Sequence, residues 1–132
     1  MMRVGVIAAL AFVGLAGCGG PNLDDARARA LIGMTGPEHY AERSVAKNLT
    51  GRCNRYAYNA RLANGLTEAR AVSGVMPGST KQGAVDLETT VKQRSLAAYY
   101  GQTDYFTLDP CKTLDQEVAR QSPLSFLVMK KG

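Results

Sequence analysis

The first 17 residues decide where the rest of the chain folds. Arg3 precedes an uncharged apolar run, Val4 to Leu15, and the small residues Ala16 and Gly17 follow it. A basic start, an apolar stretch of roughly 7–15 residues and small residues before a cut site describe a secretory signal peptide. The run is shorter than the about 20 residues a spanning helix needs, which argues against an uncut anchor. The remainder is therefore expected to fold outside the cytoplasm, in an oxidising compartment.

Leu15-Ala16-Gly17-Cys18 resembles the lipobox of bacterial lipoproteins. The resemblance covers only the first 18 residues. It implies that Cys18 carries lipid on its sulfur, that the chain is cut before Cys18 and that the new amine is acylated. Gly19 follows, where aspartate favours inner-membrane retention in lipoproteins of enterobacterial type. The resemblance therefore implies the outer membrane, with the domain facing the periplasm. Cys18 to Asn22 reads as a lipidated, flexible tether. The expected organisation is a signal peptide over 1–17, a tether over 18–22 and one domain over 23–132.

The chain has three cysteines. With Cys18 assigned to lipid, Cys53 and Cys111 remain and are expected to form a disulfide. Neither lies in a C-x-x-C motif, so redox catalysis is not expected. Loss of residues 1–17 removes Arg3 and leaves a net charge of +4. The basic residues are spread along the chain and mixed with acidic ones, which reads as a solvated surface and not as a nucleic-acid site.

Helical signals come first. Leu23, Ala26, Ala30, Leu31 and Met34 share a stripe, with Asp24 and Asp25 in the first turn. Thr35-x-x-Glu38 with Pro37 predicts a capping box, and Ala41, Val45 and Leu49 predict the buried face behind it. Residues 53–74 admit two readings. Tyr56, Tyr58, Ala60 and Leu62 alternate, and Asn64-Gly65 is a hairpin turn signal. The alternative is two short helices with Gly65 at a cap. Leu87 to Tyr100 reads as a helix with Asp86 as cap, a Glu88–Lys92 pair and Gly101 as stop, or as a strand. Tyr105 to Leu108 and Leu124 to Met129 read as strands, with a short helix capped by Thr113 between them. The expected fold is α+β, with N-terminal helices, then a small antiparallel sheet, and one disulfide; all-α is the alternative.

Chemistry is sparse. His39 is the single histidine and reads as an exposed helical residue, since one imidazole beside Glu38 makes neither a metal site nor a general base. Ser44-x-x-Lys47 matches the nucleophile motif of penicillin-binding proteins and class A β-lactamases, but the companion S-D-N and K-T-G elements are missing. Asp104, Asp109, Asp115 and Glu117 lack calcium-loop spacing, and the last two read as complements to a helix N-terminus. Tyr99, Tyr100, Tyr105 and Phe106 are the densest aromatic group, suited either to a core or to a binding surface. The expected function is a non-catalytic envelope lipoprotein that binds another envelope protein or serves as a structural accessory. No catalytic residue, metal or cofactor beyond the lipid on Cys18 is assigned, and the partners are the membrane and a protein, not nucleic acid. The alternative is an inhibitor or binder of a cell-wall enzyme or glycan.

Overall fold

The computed structural model describes residues 21–72 and 81–132. The expected signal peptide, Cys18 and residues 73–80 lie outside the described residues.

The fold is α+β, with five helices and one two-stranded antiparallel sheet among the described residues. Helix α1 spans Ala26–Gly33, and Asp25 caps it by accepting from the Arg27 amide at 2.8 Å. Its buried side is Ala28 and Leu31; Ala26 and Ala30 of the expected stripe face solvent.

Helix α2, Gly36–Gly51, begins as its local sequence dictates. Thr35 accepts from the Glu38 amide, Glu38 accepts from the Thr35 amide, and Pro37 sits in the first turn where its missing N–H costs nothing. Thr35→Ala should cost about 1 kcal/mol of unfolding free energy, read from the thermal midpoint. Ala41, Val45 and Leu49 face inward as their spacing predicts, joined by Ala46.

The expected hairpin over 53–74 does not form. Tyr56–Tyr58 is a strand, β1, but its partner is the C-terminal strand β2, Val128–Lys130, with Ala57 opposite Met129. The two-helix alternative is also corrected, because Ala60–Val72 is one helix, α3, running through Asn64-Gly65. Gly65 serves a close approach: a Cβ there would meet Pro21 Cδ at 2.9 Å. The Asn64 side chain accepts from Arg43. Ala63, Leu66 and Arg70, at helical spacing, form the buried face.

Helix α4, Gln82–Tyr99, starts at Lys81 and not at Asp86, with no side-chain cap bond. It lies along α2 in the most extensive contact between elements. Lys92 does not pair with Glu88; it reaches across to Glu42 at 2.9 Å. Gly101, at φ +76°, ends the helix as expected, and the Gln102 amide returns to the Ala97 carbonyl.

Tyr105–Thr107 is a 3-10 turn, not a strand, because Asp104 accepts from the Phe106 amide and closes the chain locally. Helix α5, Pro110–Ala119, begins three residues before the expected Thr113 cap, with Asp109 as cap and Pro110 in its first turn. Pro123–Leu127 is a second 3-10 segment, so only its continuation Val128–Lys130 keeps the expected strand. The sheet therefore brackets the last three helices instead of following the first two.

Cys53 and Cys111 are bonded to each other. The bond ties the exit of α2 to the first turn of α5, not one part of the sheet to another. The core gathers around Leu31, Val45, Leu49, Leu66, Leu114 and Leu127. No helix among the described residues is long and apolar enough to cross a membrane.

Candidate functional site

The four aromatics from Tyr99 to Phe106 form two edge-to-face pairs, not one cluster. Tyr99 and Tyr100 have ring centroids 4.9 Å apart, and Tyr105 and Phe106 5.1 Å apart. Each pair divides its labour. Tyr105 is buried, and its hydroxyl donates to Asn48 Oδ1 at 2.7 Å. Burial pushes its pKa up to about 12, against the pull of Arg52. Tyr100 turns inward and its hydroxyl donates to Glu117. Burial, followed by that carboxylate, takes its pKa to about 12 as well. Tyr99 and Phe106 are 61% and 62% exposed. Core packing and surface presentation, the two readings of this group, are both realised by different members.

Each exposed ring is backed by an arginine. The Arg120 guanidinium carbon lies 4.1 Å from the Tyr99 centroid. That of Arg52 lies 5.7 Å from Phe106 and 5.6 Å from Tyr105. Arg120 is held by Glu117, which accepts from its Nε and Nη2 at 2.8 Å. Glu117 is 1% exposed. It does not complement a helix start, as the sequence suggests, because α5 begins at Pro110 and Glu117 falls in its last turn. There the helix dipole disfavours an anion, and Tyr100 and Arg120 compensate. Asp115 is likewise not a helix-start residue; it pairs with Arg55 at 2.9 Å and accepts from the Tyr56 hydroxyl at 2.7 Å. Both hydrogen bonds hold its carboxyl below the usual range, Arg55's first.

The surface around these rings is creased. A groove of about 320 Å³ runs between the Tyr100–Leu108 connection and α5, bordered by Gln102, Thr107, Lys112 and Gln116. On the other side of Tyr99 a cleft of about 240 Å³ separates α4 from α5 and meets the Glu42–Lys92 and Glu117–Arg120 pairs. A shallow depression shares Gln116 with the groove and Tyr99 and Arg120 with the cleft. Exposed aromatic rings stacked on arginine beside shallow relief match the composition of protein-binding hot spots.

The other singled-out residues take different places. His39 is not on the surface: it is 0% exposed, with Nδ1 against the Leu31 carbonyl at 3.0 Å and Nε2 against Thr67 Oγ1 at 2.9 Å. Its burial lowers its pKa to about 4. Ser44 and Lys47 border one cavity, yet Lys47 Nζ sits 5.6 Å over the Tyr58 ring and makes no hydrogen bond to Ser44 among the described residues. Among the described residues, no three His, Cys, Asp or Glu side chains gather as metal ligands. Arg120, Arg52 and Asn48 were not indicated by any sequence pattern, and Glu117 only as a helix-start residue; the aromatic density beside them was the one signal.

No family model matches this chain, and neither does any curated protein or solved structure.

Proposed function

We propose that the chain is an envelope lipoprotein, held through lipid on Cys18 at the periplasmic face of the outer membrane, whose domain binds another envelope protein as a non-catalytic accessory module. The observation that carries this reading is the pair of exposed rings, Tyr99 and Phe106, each stacked on an arginine, with Tyr99 at the edge of a cleft. Rigid aromatics immobilised before contact lose little entropy on binding. A tether raises the effective concentration of such a surface near membrane partners, so a modest contact suffices.

The test places a photo-crosslinking residue at position 99 or 106 in cells, with position 29 on the exposed side of α1 as control. One dominant envelope protein captured from 99 and 106, absent from 29 and lost in Cys18→Ala, is the expected result. Tyr99→Ala should weaken that capture severalfold while moving stability by no more than about 0.5 kcal/mol, since the ring is exposed. Adducts that merely follow protein abundance would sink the protein-binding reading and favour a wall glycan or wall enzyme as the ligand.

A further inference from the structure

The cavity between α2 and the start of α4 has a chemistry the aromatic face does not use. It measures about 390 Å³ and is bordered by Tyr40, Arg43, Ser44, Lys47, Gln82 and Val85. Two of these six are cations, four positions apart on one face of α2, and no carboxylate borders the cavity among the described residues.

The charge balance there is unusual for this protein. Arg27, Arg55, Lys92 and Arg120 each pair with a carboxylate within 2.9 Å. Arg43 instead donates to three neutral oxygens: the Tyr58 hydroxyl at 2.9 Å, Thr67 Oγ1 at 2.8 Å and Asn64 Oδ1 at 2.8 Å. Three bonds to groups on two other elements lock the guanidinium, and no carboxylate among the described residues pairs with it. Lys47 rests over Tyr58 without an ion pair among the described residues. Tyr40 flanks Arg43, whose guanidinium carbon is 5.5 Å from the ring centroid. Val85, buried, supplies an apolar wall, and Gln82 is steadied at the rim by Asp86 at 2.8 Å.

The geometry points to a binding site for a phosphate ester of a small polyol. The fixed guanidinium has N–H groups left beyond its three bonds, and Lys47, Ser44 and Tyr40 add donor groups on three further bordering side chains. Donors so dispersed suit a tetrahedral oxyanion better than a planar carboxylate. The volume exceeds a bare phosphate and lies in the range of small-ligand pockets. Tyr40 and Val85 then cover the carbon skeleton. The Ser44-x-x-Lys47 motif thereby acquires a role in binding an anion, not in attacking a carbonyl. This inference is independent of the aromatic face and of the lipid on Cys18.

A glycerophosphate group reaches such a site either free or as a lipid headgroup, and the experiment separates the two. Calorimetric titration of the purified full chain with glycerol 3-phosphate tests the free form. Cosedimentation of the Cys18→Ala protein with vesicles of phosphatidylglycerol in phosphatidylcholine, against phosphatidylcholine alone, tests the headgroup. The expected result is saturable binding in at least one arm, weakened about tenfold by Lys47→Met, the worth of one charge-assisted hydrogen bond. Arg94→Gln, which removes an exposed cation of α4 outside the cavity, should leave it unchanged. Binding to glycerol 3-phosphate assigns the soluble source, and binding to vesicles alone assigns the headgroup. Absence of saturable binding in both arms, or equal losses in Lys47→Met and Arg94→Gln, overturns the site.

Discussion

Reducing the Cys53–Cys111 bond should destabilise the domain by about 4 kcal/mol and lower its thermal midpoint by roughly 20 °C. The bonded cysteines are 58 positions apart, and the loop they close contains β1, α3 and α4. In the unfolded chain that closure removes a large share of the accessible conformations, and the loss grows with the logarithm of loop length. The sheet has only three residue pairs, and β2 follows the bridge in sequence. The connection from α4 to α5, which follows Tyr99 and presents Phe106, ends two residues before Cys111. Its order should therefore suffer first, with faster amide exchange over residues 100–109 on reduction. Melting curves with and without reductant, repeated on the Cys53→Ala/Cys111→Ala double variant, give the number free of thiol chemistry. A loss under about 1 kcal/mol in both would mean that packing around Leu49 and Leu114 already restrains the chain, and the entropic account would fail.

That bridge was legible because it follows from counting: the cysteine assigned to lipid leaves an even number in a chain expected to be exported. The start of α2 was legible for a different reason. Thr35, Pro37 and Glu38 lie within one turn, and each satisfies a backbone group whose position the sequence itself defines. The Asn64-Gly65 signal misled because its local preference was overridden from a distance. Pro21 occupies the space a Cβ at Gly65 would need, and Arg43 takes the Asn64 side chain. A hairpin would forfeit both, along with the burial of Leu66 on α3. Tyr105 and Phe106 show the limit of periodicity. They are neighbours, yet one is buried and the other exposed, because a 3-10 turn of three residues has no period to read. Glu117 was misread because its partners come from outside its own helix: Tyr100 lies 17 positions away, and Arg120 just past the last turn. The paired exposed rings of the candidate face were thus half visible, as aromatic density. The arginines that hold them were visible only in three dimensions.

Acidification should weaken the fold well above the range where carboxylates titrate, and His39 is the cause. The Leu31 carbonyl can only accept, so Nδ1 carries the proton; Nε2 then accepts from the Thr67 hydroxyl. Burial disfavours the imidazolium, the Leu31 bond partly opposes this, and Arg70 and Arg43 add repulsion. The folded pKa is about 4, against 6.5 for the free side chain. Between these values the unfolded chain binds the proton and the folded one does not, so stability is full above pH 6.5 and declines as pH falls through the window. The linkage relation gives a loss of about 2 kcal/mol by pH 5 and about 3 kcal/mol by pH 4. Asp25 and Glu38, whose hydrogen bonds lower their pKa values, add losses only at more acid pH. The upper part of the window therefore reports on the single histidine. Chemical denaturation from pH 7 to pH 5 measures the slope. His39→Gln keeps an amide donor for Leu31 and an acceptor for Thr67 but cannot titrate, so its stability, lower throughout, should be level across the same interval. A variant that keeps the wild-type slope would place the proton uptake elsewhere and show that His39 binds its proton equally in the folded and unfolded states. A level variant would establish that the acid sensitivity of this interval belongs to His39, buried at the junction of α1, α2 and α3.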